Sequence, residues 1–294
     1  MATYKTYDTV GIREDLQNAI YDISPTTTPF MSTIGKTTAK NTYHEWQTDS
    51  LADANVDNAQ VEGADAVSAT LTPTTRVGNY TQISDKVIQV STTDDKVDKA
   101  GRSTETAYQL SKASAELKRD MESILLSDQA QDAGDSSKAR KLGGLASWLT
   151  TNVVDTAGAE LTEDMLKEAV LKAYTAGGSP DVLLVSPANK QVVSTFPGIA
   201  EQRFQAPGNK PTTIVGTADI YMSDFGTLSV VPDRFLSDEI SYVLDPSMAS
   251  VSYLRPFKSQ KLAKTGDNEK HLLNVEYTLK VNNEAAHAMM TDLT

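Results

Sequence analysis

Three histidines, His44, His271 and His287, are the only imidazoles in 294 residues. They stand far apart, and none falls in HExxH, the helical spacing that brings two imidazoles to one metal. A catalytic site needs a base, a reacting group and an orienting partner that converge, so these histidines read as ordinary polar positions. The chain has no cysteine, which excludes disulfides, thiolate zinc sites and a thiol nucleophile. It contains no GxSxG, GxxxxGK[ST] or GxGxxG, and Gly143-Gly144 reads as a turn rather than a phosphate cradle. Asp53-Ala-Asn55-Val-Asp57-Asn58 has the first spacings of a calcium loop. The pattern then fails: Asn58 stands where the loop needs glycine, Ala64 holds the twelfth position, and Glu62 falls two short of it. A plain acidic loop is the better reading. The sequence therefore offers no catalytic, metal or cofactor residue.

Charge narrows the classes further. The formal net charge is −12, and six acids (Glu45, Asp49, Asp53, Asp57, Glu62, Asp65) lie in residues 41–75 with no lysine or arginine. A chain this acidic gains little from releasing counterions of nucleic acid, which counts against specific DNA binding. A local excess of one sign marks a solvated, extended loop. The longest apolar runs, near residues 124–126 and 182–185, are far too short to span a bilayer, so no membrane partner is expected. The first residues carry no basic n-region and no apolar h-region, so no signal peptide is expected, which weighs against a secreted β-rich binding or adhesion module. An Asp/Glu-dependent hydrolase is a further alternative, and it lacks a convergent site.

The longest helical pattern runs over residues 103–132. Ala107, Leu110, Ala113, Leu117, Met121, Ile124 and Leu125 recur three or four apart and line one face. Ser103 is the expected N-cap and Gly134 the stop. Glu116, Lys118, Arg119, Asp120 and Glu122 fall on the other side and read as a solvated face. Residues 42–49 and 77–91 have strand composition and flank a polar tip of over twenty residues. Two strands with such a tip make a protruding hairpin that cannot bury apolar surface alone, so it needs a partner surface and points to an oligomer. Before it lies an arm of weak pattern, with a short amphipathic turn at Leu16, Ala19, Ile20 and Ile23, broken at Pro25, Pro29 and Gly35. After the long helix come a second helix from the N-cap Thr162 to Gly177-Gly178, a buried strand at residues 181–185, and a helix opened by Ser186-Pro187. Residues 199–212 read as a loop, and short strands follow from 213 to 255, beginning with 213–216. Leu273, Val275, Tyr277, Leu279 and Val281 alternate in a long half-buried strand. The α/β part therefore reads as an insertion between two segments of one domain.

Several stretches carry a resemblance in order along nearly the whole chain. They are Ile23-Ser-Pro-Thr-Thr-Thr-Pro-Phe-Met-Ser-Thr-Ile-Gly35, His44-Glu-Trp-Gln-Thr-Asp-Ser-Leu51, Glu62-Gly-Ala-Asp65 and Arg76-Val-Gly-Asn-Tyr-Thr-Gln-Ile83. Ala100-Gly-Arg102, Glu116-Leu-Lys-Arg-Asp120, Gly143-Gly-Leu145 with Trp148, Thr265-Gly-Asp267, Val275-Glu-Tyr-Thr-Leu279 and Asn283-Glu-Ala-Ala-His287 continue it. The set resembles the major head proteins of tailed phages, the SU10-type among them.

The resemblance implies an α+β, HK97-like capsid fold: an N-terminal arm (1–41), an E-loop hairpin (42–75, continuing to about 91), a peripheral domain on a spine helix (76–145 and 246–294) and an inserted axial domain (146–245). It implies a virion shell protein, made in the host cytoplasm, whose hexamers and pentamers enclose double-stranded DNA without catalysis. A separate scaffolding protein is expected because no long helical domain precedes the arm. A portal is implied, and a decoration protein is a further partner. The expected intersubunit contacts are Pro29 and Phe30 in the arm, Trp46 in the first hairpin strand, Leu51, Glu62, Asp65 and Leu71 in the tip, and Arg76 where the chain returns. The two readings diverge on one point. Some shells of this fold are crosslinked through an E-loop lysine, and this chain has none there.

Overall fold

A computed structural model describes residues 27–63, 65, 71–99, 101, 103–196 and 220–294. The expected turn at residues 16–23, the loop at 199–212 and the strand at 213–216 lie outside them. A short helix α1 (Pro29–Thr33) leads to β1 (Gly35–Thr38), then β2 (Tyr43–Thr48), β3 (Thr75–Tyr80), β4 (Gln82–Ser91), α2 (Thr92–Lys96) and the long helix α3 (Glu105–Leu126). There follow α4 (Leu145–Trp148), β5 (Val153–Asp155), α5 (Glu163–Thr175), β6 (Val182–Val185), α6 (Pro187–Val193), β7 (Ile220–Ser223), β8 (Gly226–Pro232) and β9 (Ser241–Leu244). Two long strands, β10 (Ala249–Lys261) and β11 (Asn268–Val281), precede the last strand, β12 (Ala288–Thr291).

Among the described residues the strands form three sheets: β1-β10-β11-β4, β5-β12-β9-β6-β8-β7, and the hairpin β2-β3. The first sheet draws on strands from both sides of the α/β segment. Helix α3 lies on it, and Leu117, Met121 and Leu125 pack with Leu273, Val275 and Tyr277 of β11. In β6 the four residues Val-Leu-Leu-Val are all buried. Val182 and Leu184 face the core shared with α3, while Leu183 and Val185 face the core under α5 with Leu166, Ala169 and Val170. A strand covered on both faces has no polar side to show, which is why it reads as an unbroken apolar run.

The structure corrects several expectations. Helix α3 spans 22 residues, about 33 Å at ~1.5 Å per residue, and ends at Leu126 rather than near residue 132. Ser127 turns the chain out: its hydroxyl donates to the Ile124 carbonyl at 2.7 Å, and Gln129 then donates to the Leu142 carbonyl at 2.8 Å. The cap at the other end is Thr104, whose hydroxyl accepts from the Ala107 amide, not Ser103. Ala107 is exposed and Glu122 is buried, so the inward face is rotated from the one drawn on composition.

The hairpin stops at Tyr80. Strand β4 leaves it and pairs with β11 from Gln82 against Tyr277 to Ser91 against Asn268. Thr81 is the switch point: it is fully buried, its amide donates to the Thr42 carbonyl at 2.8 Å, and its hydroxyl donates to Glu276 at 2.8 Å. Strand β10 runs through Pro256 to Lys261, with register shifts around Arg255 that absorb the missing proline N–H. Finally, β12 joins the six-stranded sheet, parallel to β5 and antiparallel to β9. Ala288 and Met290 are fully buried in the core under α5, while Met289 faces the core shared with α3.

Candidate functional site

The hairpin has two physically different parts. Its base is clamped. Trp46 is 9% exposed, and its ring lies 5.4 Å from that of Trp148. The rings of Tyr43 and Tyr80 stand 4.5 Å apart across the two strands. Gly78 leaves no room for a side chain: a Cβ there would stand 2.8 Å from Glu45 Cγ and 2.9 Å from the His44 carbonyl oxygen. Asn79 is fully buried, donates to the Gly143 and Leu279 carbonyls at 3.0 and 2.9 Å, and accepts the Gly143 amide at 2.8 Å. Just beyond, Glu276 takes Arg140 at 2.6 Å and Arg255 at 2.7 Å. Burial pulls the Glu276 pKa upward, but the Thr81 hydroxyl and the two guanidiniums outweigh it and hold the carboxyl below its usual range.

The outer part has no such support. Leu51, Val56, Val61 and Leu71 are exposed by 98, 93, 81 and 89%. The described residues between β2 and β3 form no strand. Apart from the local turn in which Asp57 N–H donates to Asn55 at 2.9 Å, little holds the tip to itself. Asp49, Asp53, Asp57, Glu62 and Asp65 take part in no ion pair among the described residues, and Glu45 is bound to Arg76 at 2.7 Å at the mouth of the loop. That exposed pair contributes little stability. The result is a clamped base carrying a long apolar and acidic tongue whose described large apolar side chains lie exposed.

The expected contact residues divide accordingly. Leu51, Glu62, Asp65, Leu71 and Arg76 are exposed. Phe30 is fully buried and Trp46 nearly so, and Pro29 is half-buried. The histidines do not converge. His44 lies in β2 and His271 in β11, and His287 is buried with its Nδ1 accepting the Asp245 amide at 3.1 Å. Burial lowers the His287 pKa to about 4. Among the described residues no group of three or more metal-ligating side chains comes together.

Sequence reasoning missed the buried polar residues that do the fastening: Asn79, Glu122, Asp233 and Glu276. Glu276 had a faint signal, since it is the one acid within the apolar alternation from Leu273 to Val281. Glu122 had only its place beside Met121 and three before Leu125, at the margin of the apolar stripe.

The whole chain can be set against known proteins. The family model described as SU10 major capsid protein matches residues 2–294. The major capsid protein of Escherichia phage Phieco32 is 29% identical over 343 aligned positions, covering 98% of this chain and 96% of that one. Among solved structures, a chain from Gordonia phage Cozz superposes with a TM-score of 0.67 at 11% identity, over 96% of this chain and 91% of its own. The holo-SrpI encapsulin complex from Synechococcus elongatus PCC 7942 gives 0.59 at 13%, over 100% and 96%.

Proposed function

Because this chain belongs to the SU10 major capsid protein family, we propose that its copies close an icosahedral shell as hexamers and pentamers, with the hairpin tip of each lying on a neighbour. The protein is a phage major capsid protein of HK97-like fold, a structural component of the virion rather than an enzyme. The alternatives, a secreted adhesion module and an Asp/Glu hydrolase, find no support.

One observation carries the assembly reading: a clamped hairpin base presents a tip with four large apolar residues at least 81% exposed. Monomeric proteins rarely leave such surface bare. The arm (1–41), E-loop (42–75) and spine helix then serve the peripheral domain, and residues 146–245 with β12 make the axial one. In this reading the shell contains its DNA mechanically. At a net charge of −12 it has little means to neutralise phosphate, and any cationic contact is local, from arm residues such as Lys36 and Lys40. A scaffolding protein and a portal complete the assembly, the chain is made in the host cytoplasm, and a decoration protein is a further candidate partner.

The test is electron microscopy and sedimentation of the purified protein, alone and co-expressed with its scaffold. Shells or capsomer rings of megadalton mass are expected. A strict monomer under every salt and concentration condition would overturn the reading.

A further inference from the structure

Helix α1, at the base of the N-terminal arm, has no side-chain cap of its own, since Thr28 supplies none. Its cap comes from the spine. Glu122 of α3 accepts the Phe30 N–H on Oε1 at 2.6 Å and the Met31 N–H on Oε2 at 2.9 Å. These are the second and third amides of the helix, where a capping oxygen binds.

Glu122 is fully buried next to Asp233, which follows β8 and is also fully buried. Asp233 Oδ1 accepts the Phe235 amide at 2.8 Å, and its buried Oδ2 has no hydrogen-bond partner among the described residues. Two neighbouring carboxyls in a dry core favour keeping one proton, because two anions so placed repel strongly. Among the described residues no cation is paired with either. Helix α1 carries no ionisable side chain. On α3, Lys118 and Asp120 are exposed, and Arg119 lies over the Phe235 ring at 5.5 Å. After β8, Arg234, Asp238 and Glu239 are exposed, and Tyr242 of β9 donates to the Leu126 carbonyl at 2.8 Å.

We propose that the Glu122–Asp233 pair is a proton-dependent clasp that fastens the base of the N-terminal arm to the spine helix and the six-stranded sheet. It holds while the pair keeps its proton and loosens when the proton leaves. This inference does not rest on the assembly reading. Burial, with the charge of Asp233, pushes Glu122 from a carboxylic acid's usual 4.5 up to about 8, and burial raises Asp233 as well. The fastened state therefore binds more protons than the open one between those values, and fastening weakens as pH rises through that window.

Hydrogen exchange on the free subunit tests this. Protection of the Phe30 and Met31 amides, corrected for intrinsic exchange, is read from pH 5 to 8.5 beside a core amide, Leu183 of β6. Protection of the two arm amides should fall by up to about tenfold per pH unit, while Leu183 stays level. Glu122→Gln, neutral at every pH, should flatten the profile. Asp233→Asn, which removes the neighbouring charge and offers a donor, should move the fall to lower pH. A flat wild-type profile, a Glu122→Gln variant with the wild-type slope, or a parallel fall at Leu183 would overturn the clasp.

Discussion

Glu276 and Glu122 are both buried acids, and they respond to pH in opposite directions. Glu276 has its pKa depressed by Thr81, Arg255 and Arg140 against the effect of burial. The stability it contributes is therefore present above the ordinary glutamate range and is lost as pH falls through its folded value. Glu122 has its pKa raised, so its contribution is full in acid and is lost as pH climbs toward 8. Melting temperature against pH should fall on the acid side for wild type, and Glu276→Gln should flatten that side while lowering stability by about 1–3 kcal/mol through the unpaired guanidiniums. An unchanged acid limb would contradict the role given to Glu276. Gly144 makes a second residue-scale case. A Cβ there would stand 2.2 Å from the Ser127 carbonyl oxygen and 3.0 Å from that of Ile124, both backbone atoms at the end of α3. Gly144→Ala should cost about 1–3 kcal/mol by overpacking, measured by urea unfolding of the unassembled subunit; a neutral result would mean the helix end yields freely.

At the scale of elements, the hairpin joins the most and the least supported parts of the chain. Its base shares Asn79, Thr81 and Trp46 with the spine region, and its tip leaves Leu51 and Val56 almost wholly exposed. Loops without packing or ladder bonds open at little cost and are cut first by proteases. Limited proteolysis of free subunits should cleave first in residues 51–71, and the same bonds should resist in assembled particles. Equal cleavage in both states would separate the tip from assembly. Helix α3 sets the opposite limit. Leu117 is 1% exposed between the sheet and the α/β segment, so Leu117→Ala should cost about 2–5 kcal/mol in the same urea measurement.

For the whole molecule, the absence of lysine from residues 41–75 predicts a shell held by non-covalent contacts. An isopeptide bond needs a free amine brought to its acceptor and stripped of its proton. The first lysine after the tip, Lys86, lies 3.0 Å from Asp120 and 3.8 Å from Glu116. The Asp120 hydrogen bond raises its pKa, so the amine stays charged and unreactive. Arg76 offers no substitute because a guanidinium keeps its proton. Mature particles boiled in SDS should run as one band near 31.7 kDa. A ladder of multimers would reveal a crosslink.

Local pattern alone determined the elements whose period matches their burial. The alternation from Leu273 to Val281 became the core face of β11, and the apolar run at residues 182–185 became the doubly covered β6. Helix α5 begins at Glu163, directly after its expected cap Thr162. Acid excess and missing lysines likewise defined the tip, because an unpaired charge is legible without coordinates. Tertiary structure decided what depends on a distant partner. Nothing near residue 127 in the sequence stops α3; Gln129 leaves the helix for partners on β4 and at Leu142. At Thr81 the strand leaves the hairpin where Glu276 and Arg140, brought there by other elements, bind its hydroxyl and carbonyl. Glu122 has the composition of a solvated position, and the two amides of α1, brought to it by the fold, give the buried acid its hydrogen-bond partners there.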